Sequence, residues 1–320
     1  MSAFFRDRRA PQPDKPKAGG TDSDEPRSFV FVSDDRGSTW KRRARIRAAR
    51  LNDLAFAGSG HGWVVGTAGT IVATTDGGAT WSRQRSETTA ELRAVAFTDA
   101  HHGWVVGRGG TILATVDGGA TWQAQSSQIT VDLHDVCFAD DLHGWAVGKK
   151  GAILASNDGG TTWNVQFRDP CAAWMSVFFR DAQRGWAAGA STPPGGILPA
   201  GAVMATDDGG ATWARQKVKG VGYLQAAAFD EADGGWAVGD GGTLISSRDG
   251  GATWQSRASG CSVQLRGVAF ADDAHGCAVG EKGTVLTTVN GGVSWPRRSV
   301  VSVESFNAVT FADDGRGWLV

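Results

Sequence analysis

The chemically able residues of this chain are dominated by one acidic phrase that occurs seven times. The copies are SDDRGSTW (Ser33–Trp40), TTDGGATW (Thr74–Trp81), TVDGGATW (Thr115–Trp122), SNDGGTTW (Ser156–Trp163), TDDGGATW (Thr206–Trp213), SRDGGATW (Ser247–Trp254) and TVNGGVSW (Thr288–Trp295). Their shared carboxylates are Asp35, Asp76, Asp117, Asp158, Asp208 and Asp249, with Asn290 in the seventh copy. Carboxylates beside glycines invite a calcium reading, but that ion takes about six to eight oxygen ligands, and most copies carry a single carboxylate. The spacing fits a structural turn better. The Asp accepts N–H groups of its own turn, the glycines supply positive φ, and the Trp buries its ring. No metal and no cofactor are expected.

Other candidates for chemistry are sparse. His61, His102, His143 and His275 each precede Gly-Trp or Gly-Cys and are too dispersed to share a metal. The turns GRGGT and GDGGT resemble phosphate-cradling loops, but no helix follows to supply an N-terminus. Cys137, Cys171, Cys261 and Cys277 lack CxxC spacing. A sialidase needs a tyrosine nucleophile and an arginine cluster, and Tyr223 is the single tyrosine. An inverting glycosidase needs two carboxylates about 6.5–9.5 Å apart, for which Asp53 and Asp135 are the best pair.

The elements that carry these residues follow from the period. The box position advances by 41, 41, 41, 50, 41 and 41 residues. A Gly-Trp pair keeps the same beat at Trp63, Trp104, Trp145, Trp186, Trp236 and Trp318, with Cys277 in the remaining slot as a small buried hydrophobe. Of the 14 tryptophans only Trp174 lies outside the pattern. Each unit, such as ELRAVAFTDAHHGWVVGRGGTILATVDGGATWQAQ, splits into four short apolar runs separated by Gly, Asp and His turns. Four strands in about 40 residues is one propeller blade. The fold expected is therefore all-β, a seven-bladed β-propeller of four-stranded antiparallel blades.

The repeat is cut out of phase, so residues 25–46 and 306–320 should share the last blade and close the ring. The propeller is expected over 25–320. Residues 1–24 read as a polar, proline-containing disordered tail, or as a basic arm, with no apolar run of the signal-peptide kind. A formal charge of −1 provides no global field for nucleic acid. No run approaches the roughly 18 apolar residues of a membrane span. A soluble monomer is expected.

One column breaks the apolar pattern. At the start of the innermost strands, Asn52, Arg93, His134, Met175, Gln225, Arg266 and Asn307 follow Leu, Trp or Phe. They should line the channel mouth, on the face opposite the boxes. The same face gathers Arg108, Lys149, Lys150 and Lys282, tempered by Asp240 and Glu281. It also gathers Trp174, Tyr223 and the nine extra residues of the fourth unit, in GASTPPGGILPAG (Gly189–Gly201). A hydrated channel lining is one reading. The other is a protein-partner site made of Arg93, Arg108, His134, Lys149, Lys150, Trp174, Tyr223 and Arg266.

The phrasing GWxVGxxGTIxxTxDGGxTW through residues 28–320 resembles the photosystem II stability/assembly factor family of seven-bladed propellers. That resemblance implies a non-catalytic scaffold that helps assemble a membrane protein complex, with a basic patch for its partner and targeting sequences in members that act outside the cytoplasm. Two alternatives stand beside it: a glycoside hydrolase of sialidase type, and a carbohydrate-binding propeller with Trp174 and Tyr223 as stacking platforms, which requires both rings exposed on one face.

Overall fold

The computed structural model describes residues 27–320 except 194, 219, 231–233 and 299–303. Seven four-stranded antiparallel sheets form a ring, and each innermost strand neighbours that of the next sheet. Blade 1 consists of Leu51–Ala57, His61–Gly66, Ile71–Thr74 and Ser82–Gln84, from the channel outwards. The innermost strands of blades 2 to 6 are Leu92–Phe97, Leu133–Phe138, Ala172–Phe179, Leu224–Phe229 and Leu265–Phe270. Blade 7 takes Val309–Phe311 and Gly317–Leu319 from one end of the repeat and Ser28–Ser33 and Lys41–Ile46 from the other. Phe31 pairs with Leu319, Val32 with Trp318 and Ser33 with Gly317. The ring thus closes as the out-of-phase repeat requires. The expected tail at 1–24 lies outside the described residues.

The two repeated motifs are halves of one joint between blades. Trp104 of blade 2 stacks on Phe138 of blade 3 with ring centroids 3.5 Å apart. Its indole N–H donates to the Gly159 carbonyl of blade 3's box at 3.0 Å. Trp163 of that box meets the same Phe138 edge-on. Trp63, Trp145 and Trp186 repeat both contacts. The second box glycine must lack a side chain, since a Cβ on Gly160 would lie 2.3 Å from the Trp104 indole nitrogen.

Inside the box, the Asp117 carboxylate accepts the Thr115 hydroxyl at 2.7 Å, the Thr121 N–H at 2.9 Å and the Thr121 hydroxyl at 2.7 Å. The Thr121 backbone and side-chain bonds, followed by that of Thr115, hold its carboxyl down at about 2. The hydroxyl neighbours use the lone pairs that a cation would need. Among the described residues, no group of three or more His, Cys, Asp or Glu side chains could hold a metal ion. All four cysteines are free.

Candidate functional site

The polar column lines the channel because of a register defect that every blade shares. In blades 1 to 6 the innermost strand shifts register between Leu51 and Asp53, Leu92 and Ala94, Leu133 and Asp135, Trp174 and Ser176, Leu224 and Ala226, and Leu265 and Gly267. The skipped residues are Asn52, Arg93, His134, Met175, Gln225 and Arg266. In blade 7, Asn307 and Ala308 both donate to the Val320 carbonyl, which is the same defect. A bulge bends the strand and re-aims its extra side chain. Here that side chain points into a cavity of about 440 Å³ at the channel mouth, lined by all seven bulge residues.

Much of this lining ties one blade to the next. Asn52 donates to the Leu92 carbonyl at 2.6 Å, and Asn307 donates to that of Leu51 at 2.6 Å. His134 reaches the Trp174 carbonyl through Nδ1 at 3.0 Å. A carbonyl only accepts, so that nitrogen carries the proton. Burial, followed by the Arg93 charge, lowers His134 to about 4, so the ring is neutral at ordinary pH. Arg93 pairs with Asp132 of blade 3 at 3.1 Å. Arg266 bonds Asn307 of blade 7 at 2.9 Å and pairs with Glu281 at 2.9 Å.

One residue further along, a second ring repeats the device against backbone N–H groups. Asp53 accepts from Val95 at 2.9 Å, Asp135 accepts from Val177 at 2.8 Å, and the Ser176 hydroxyl accepts from Ala227 at 3.2 Å. Burial raises Asp53 to about 7, with a further push from the Asp135 charge. Burial raises Asp135 to about 6. Neither carboxylate has a cationic partner among the described residues.

The expected site residues therefore divide into three groups. Arg93, His134 and Arg266 face the cavity, but their polar groups are engaged in inter-blade ties. Lys149 is exposed and pairs with Asp132 at 2.7 Å. Arg108 and Lys150 are exposed in the equivalent turns of adjacent blades 2 and 3 and enter no ion pair among the described residues. Tyr223 is 40% exposed where blade 5 begins.

Trp174 corrects the expectation. It is 1% exposed and packs in the core with Trp145, Val147 and Met204, so it offers a partner no surface. Its column is Leu or Phe in every other blade, and the aromatic ring fills the same slot. The stacking-platform reading fails with it, since it needs both rings exposed.

Sequence reasoning missed the residues just before each innermost strand. Arg50, Glu91, Asp132 and Gln264 complete the rim: Arg50 pairs with Glu91, and Gln264 donates to Asp240 at 2.6 Å. They form a second polar column one residue before the Leu column, a signal of the kind already used. Pinning them is the Gly that ends the second strand in blades 1, 2, 3 and 6. A Cβ on Gly148 would lie 2.1 Å from the Asp132 carbonyl oxygen, which instead accepts the Lys149 N–H at 2.9 Å.

The family profile described as Photosynthesis system II assembly factor YCF48 matches residues 32–93, 84–134 and 125–221. Among solved structures, YCF48 from Cyanidioschyzon merolae aligns with a TM-score of 0.66 at 22% identity, over 84% of this chain and 94% of that one. A structure of YCF48 bound to D1 peptide aligns with a TM-score of 0.66 at 20% identity, over 84% and 92%. The GH74 xyloglucanase from Xanthomonas campestris shares the fold at 13% identity and a TM-score of 0.66, over 82% of this chain and 49% of its own. No curated protein sequence matches the chain.

Proposed function

Since this chain belongs to the photosynthesis system II assembly factor YCF48 family, we propose that it is a non-catalytic, monomeric docking scaffold for a protein segment of a membrane complex. The segment binds on the channel-mouth face, across the arc formed by blades 2 and 3. The observation that carries this reading is the pair of exposed cations, Arg108 and Lys150, which enter no ion pair among the described residues, in the turns that follow the second strands of blades 2 and 3. Unpaired cations at a rim steer an acidic partner and select it over others. The peptide-bound relative supports a peptide as the kind of ligand.

A hydrolase reading would draw on Asp53 and Asp135. Both already accept backbone N–H groups from the next blade, which ties them to the ring's construction.

The test is Arg108→Glu with Lys150→Glu, followed by capture of partners from a detergent extract of the native membranes. The variant is expected to melt normally and to lose its partner. Undiminished capture would move the site off this arc. Reversing Arg93 and Arg266 is a poorer test, because those side chains hold neighbouring blades together.

A further inference from the structure

The turn between the second and third strands is short in blades 1, 2, 3, 5 and 6 and long in blade 4. There the second and third strands run Gly185–Ser191 and Ala200–Thr206, and two further rungs, Ala190↔Gly201 and Ser191↔Ala200, continue the ladder past the rim. The innermost strand follows them, with Ala172 paired to Ser191. Two rungs raise the hairpin roughly 7 Å, at about 3.3 Å per residue. Near its top the Gly196 N–H donates to the Pro193 carbonyl at 2.8 Å, with Gly195 at φ 74°. Beyond that turn stand Ile197, 94% exposed, and Leu198, 77% exposed.

No other adjacent pair of large apolar side chains is so exposed among the described residues. Val116, Leu142, Val289 and Val293 are exposed singly, on the box side of the ring. The ridge also has charged and amphipathic neighbours. Lys149 of blade 3 bridges to Ala173 at its base, Lys150 follows it in the same turn, and Arg108 occupies the equivalent turn of blade 2. On its other flank Gly201 bonds the Val221 carbonyl at 3.1 Å, two residues before the half-exposed Tyr223. Two carboxylates stand near its base: Asp132, neutralised by Arg93 and Lys149, and Asp169, which accepts the Ser191 hydroxyl at 3.3 Å.

We propose that this ridge is a membrane-insertion tip. Ile197 and Leu198 enter the interfacial layer of an anionic phospholipid bilayer, while Arg108 and Lys150 meet its headgroups. The convex shape decides for a bilayer over a protein groove: the apolar pair stands at a summit, with cations below it. A rise of roughly 7 Å matches the ~5–10 Å depth that interfacial apolar groups reach. Tyr223 then lies at the level where amphipathic rings settle. Bound this way, the ring holds its channel mouth against the membrane surface.

The test is sedimentation with vesicles of phosphatidylcholine containing about 30% phosphatidylserine, set against pure phosphatidylcholine. The wild type should sediment with the anionic vesicles and far less with the neutral ones. Ile197→Asp with Leu198→Asp should weaken that binding at least about tenfold at an unchanged melting temperature. Arg108→Gln with Lys150→Gln should weaken it on anionic vesicles only. Failure of the wild type to bind anionic vesicles, or undiminished binding by the Ile197/Leu198 variant, overturns the proposal. Partner capture in detergent contains no bilayer, so the two readings fail separately.

Discussion

Replacing Asp53 and Asp135 with Asn should reverse the sign of the pH dependence of stability between pH 5 and pH 8. A carboxyl raised in the folded state contributes stability that is complete below its unfolded value and is lost as pH climbs through its folded one. Taking 3.8 unfolded and about 7 folded for Asp53, the loss from pH 5 to pH 8 is on the order of 2.5 kcal/mol. Asp135, raised to about 6, loses roughly 1.4 kcal/mol over the same span. His134 acts oppositely. Lowered from 6.5 to about 4, it contributes stability present above pH 6.5 and lost on acidification, roughly 2 kcal/mol across this window. The box aspartates lowered to about 2, Asp76, Asp117 and Asp208, stay ionised throughout it.

The wild type should therefore lose about 2 kcal/mol on going from pH 5 to pH 8, and the double Asn variant should gain about as much. Each Asn keeps a carbonyl oxygen to accept the Val95 or Val177 N–H. Urea unfolding at the two pH values, followed by tryptophan fluorescence, measures both differences. Parallel curves for the two proteins would refute the argument, because they would show that neither carboxylate is carried into the fold against its charge.

Asp117→Ala should destabilise the ring by about 1–3 kcal/mol, read from chemical unfolding, since it strands the Thr121 N–H and two hydroxyls at once. Chelation with EDTA should leave the melting temperature unchanged, because Thr hydroxyls occupy the box carboxylate; a fall on chelation would show a bound ion. Trp104→Ala should cost about 3–5 kcal/mol, removing the Phe138 stack and the Gly159 bond together, whereas Cys277→Ala should cost under half of that. Deleting residues 1–46 removes two strands of blade 7, leaves the Gly317–Leu319 edge open, and should yield an aggregating protein by light scattering.

Legibility in the sequence tracks what is periodic. The Gly-Trp slots and the boxes recur because each blade needs the same joint, and their phase located even the shared blade. The bulges were hidden, since a register shift leaves no residue of its own. Asn52 or Arg93 looks like a polar channel lining whether or not the ladder skips it, and only the cross-blade bonds reveal the second role. Trp174 misled because a change of residue type was read as a change of environment. Its slot is apolar in every blade and simply holds a larger ring. The exposure of Ile197 and Leu198 was equally invisible, as an insertion's length does not say which of its side chains pack.

The one slot where Cys277 stands in place of tryptophan leaves the junction between blades 6 and 7 unlike the others. No indole stacks there on Phe311, whereas Trp236 and Trp318 still pack on Phe270 and Phe56 at the junctions on either side. Among the described residues, the aromatic ring beside Phe311 is its own blade's Trp40, at 6.2 Å and tilted. The same blade is the composite one, held by three rungs between Ser28–Ser33 and Gly317–Leu319. A circular chain of joints yields at its softest link, so amide exchange should be fastest along Val309–Phe311 and Gly317–Leu319. Opening there would part the ring sideways. A segment too long to thread the channel from its mouth would then have a gate through the wall.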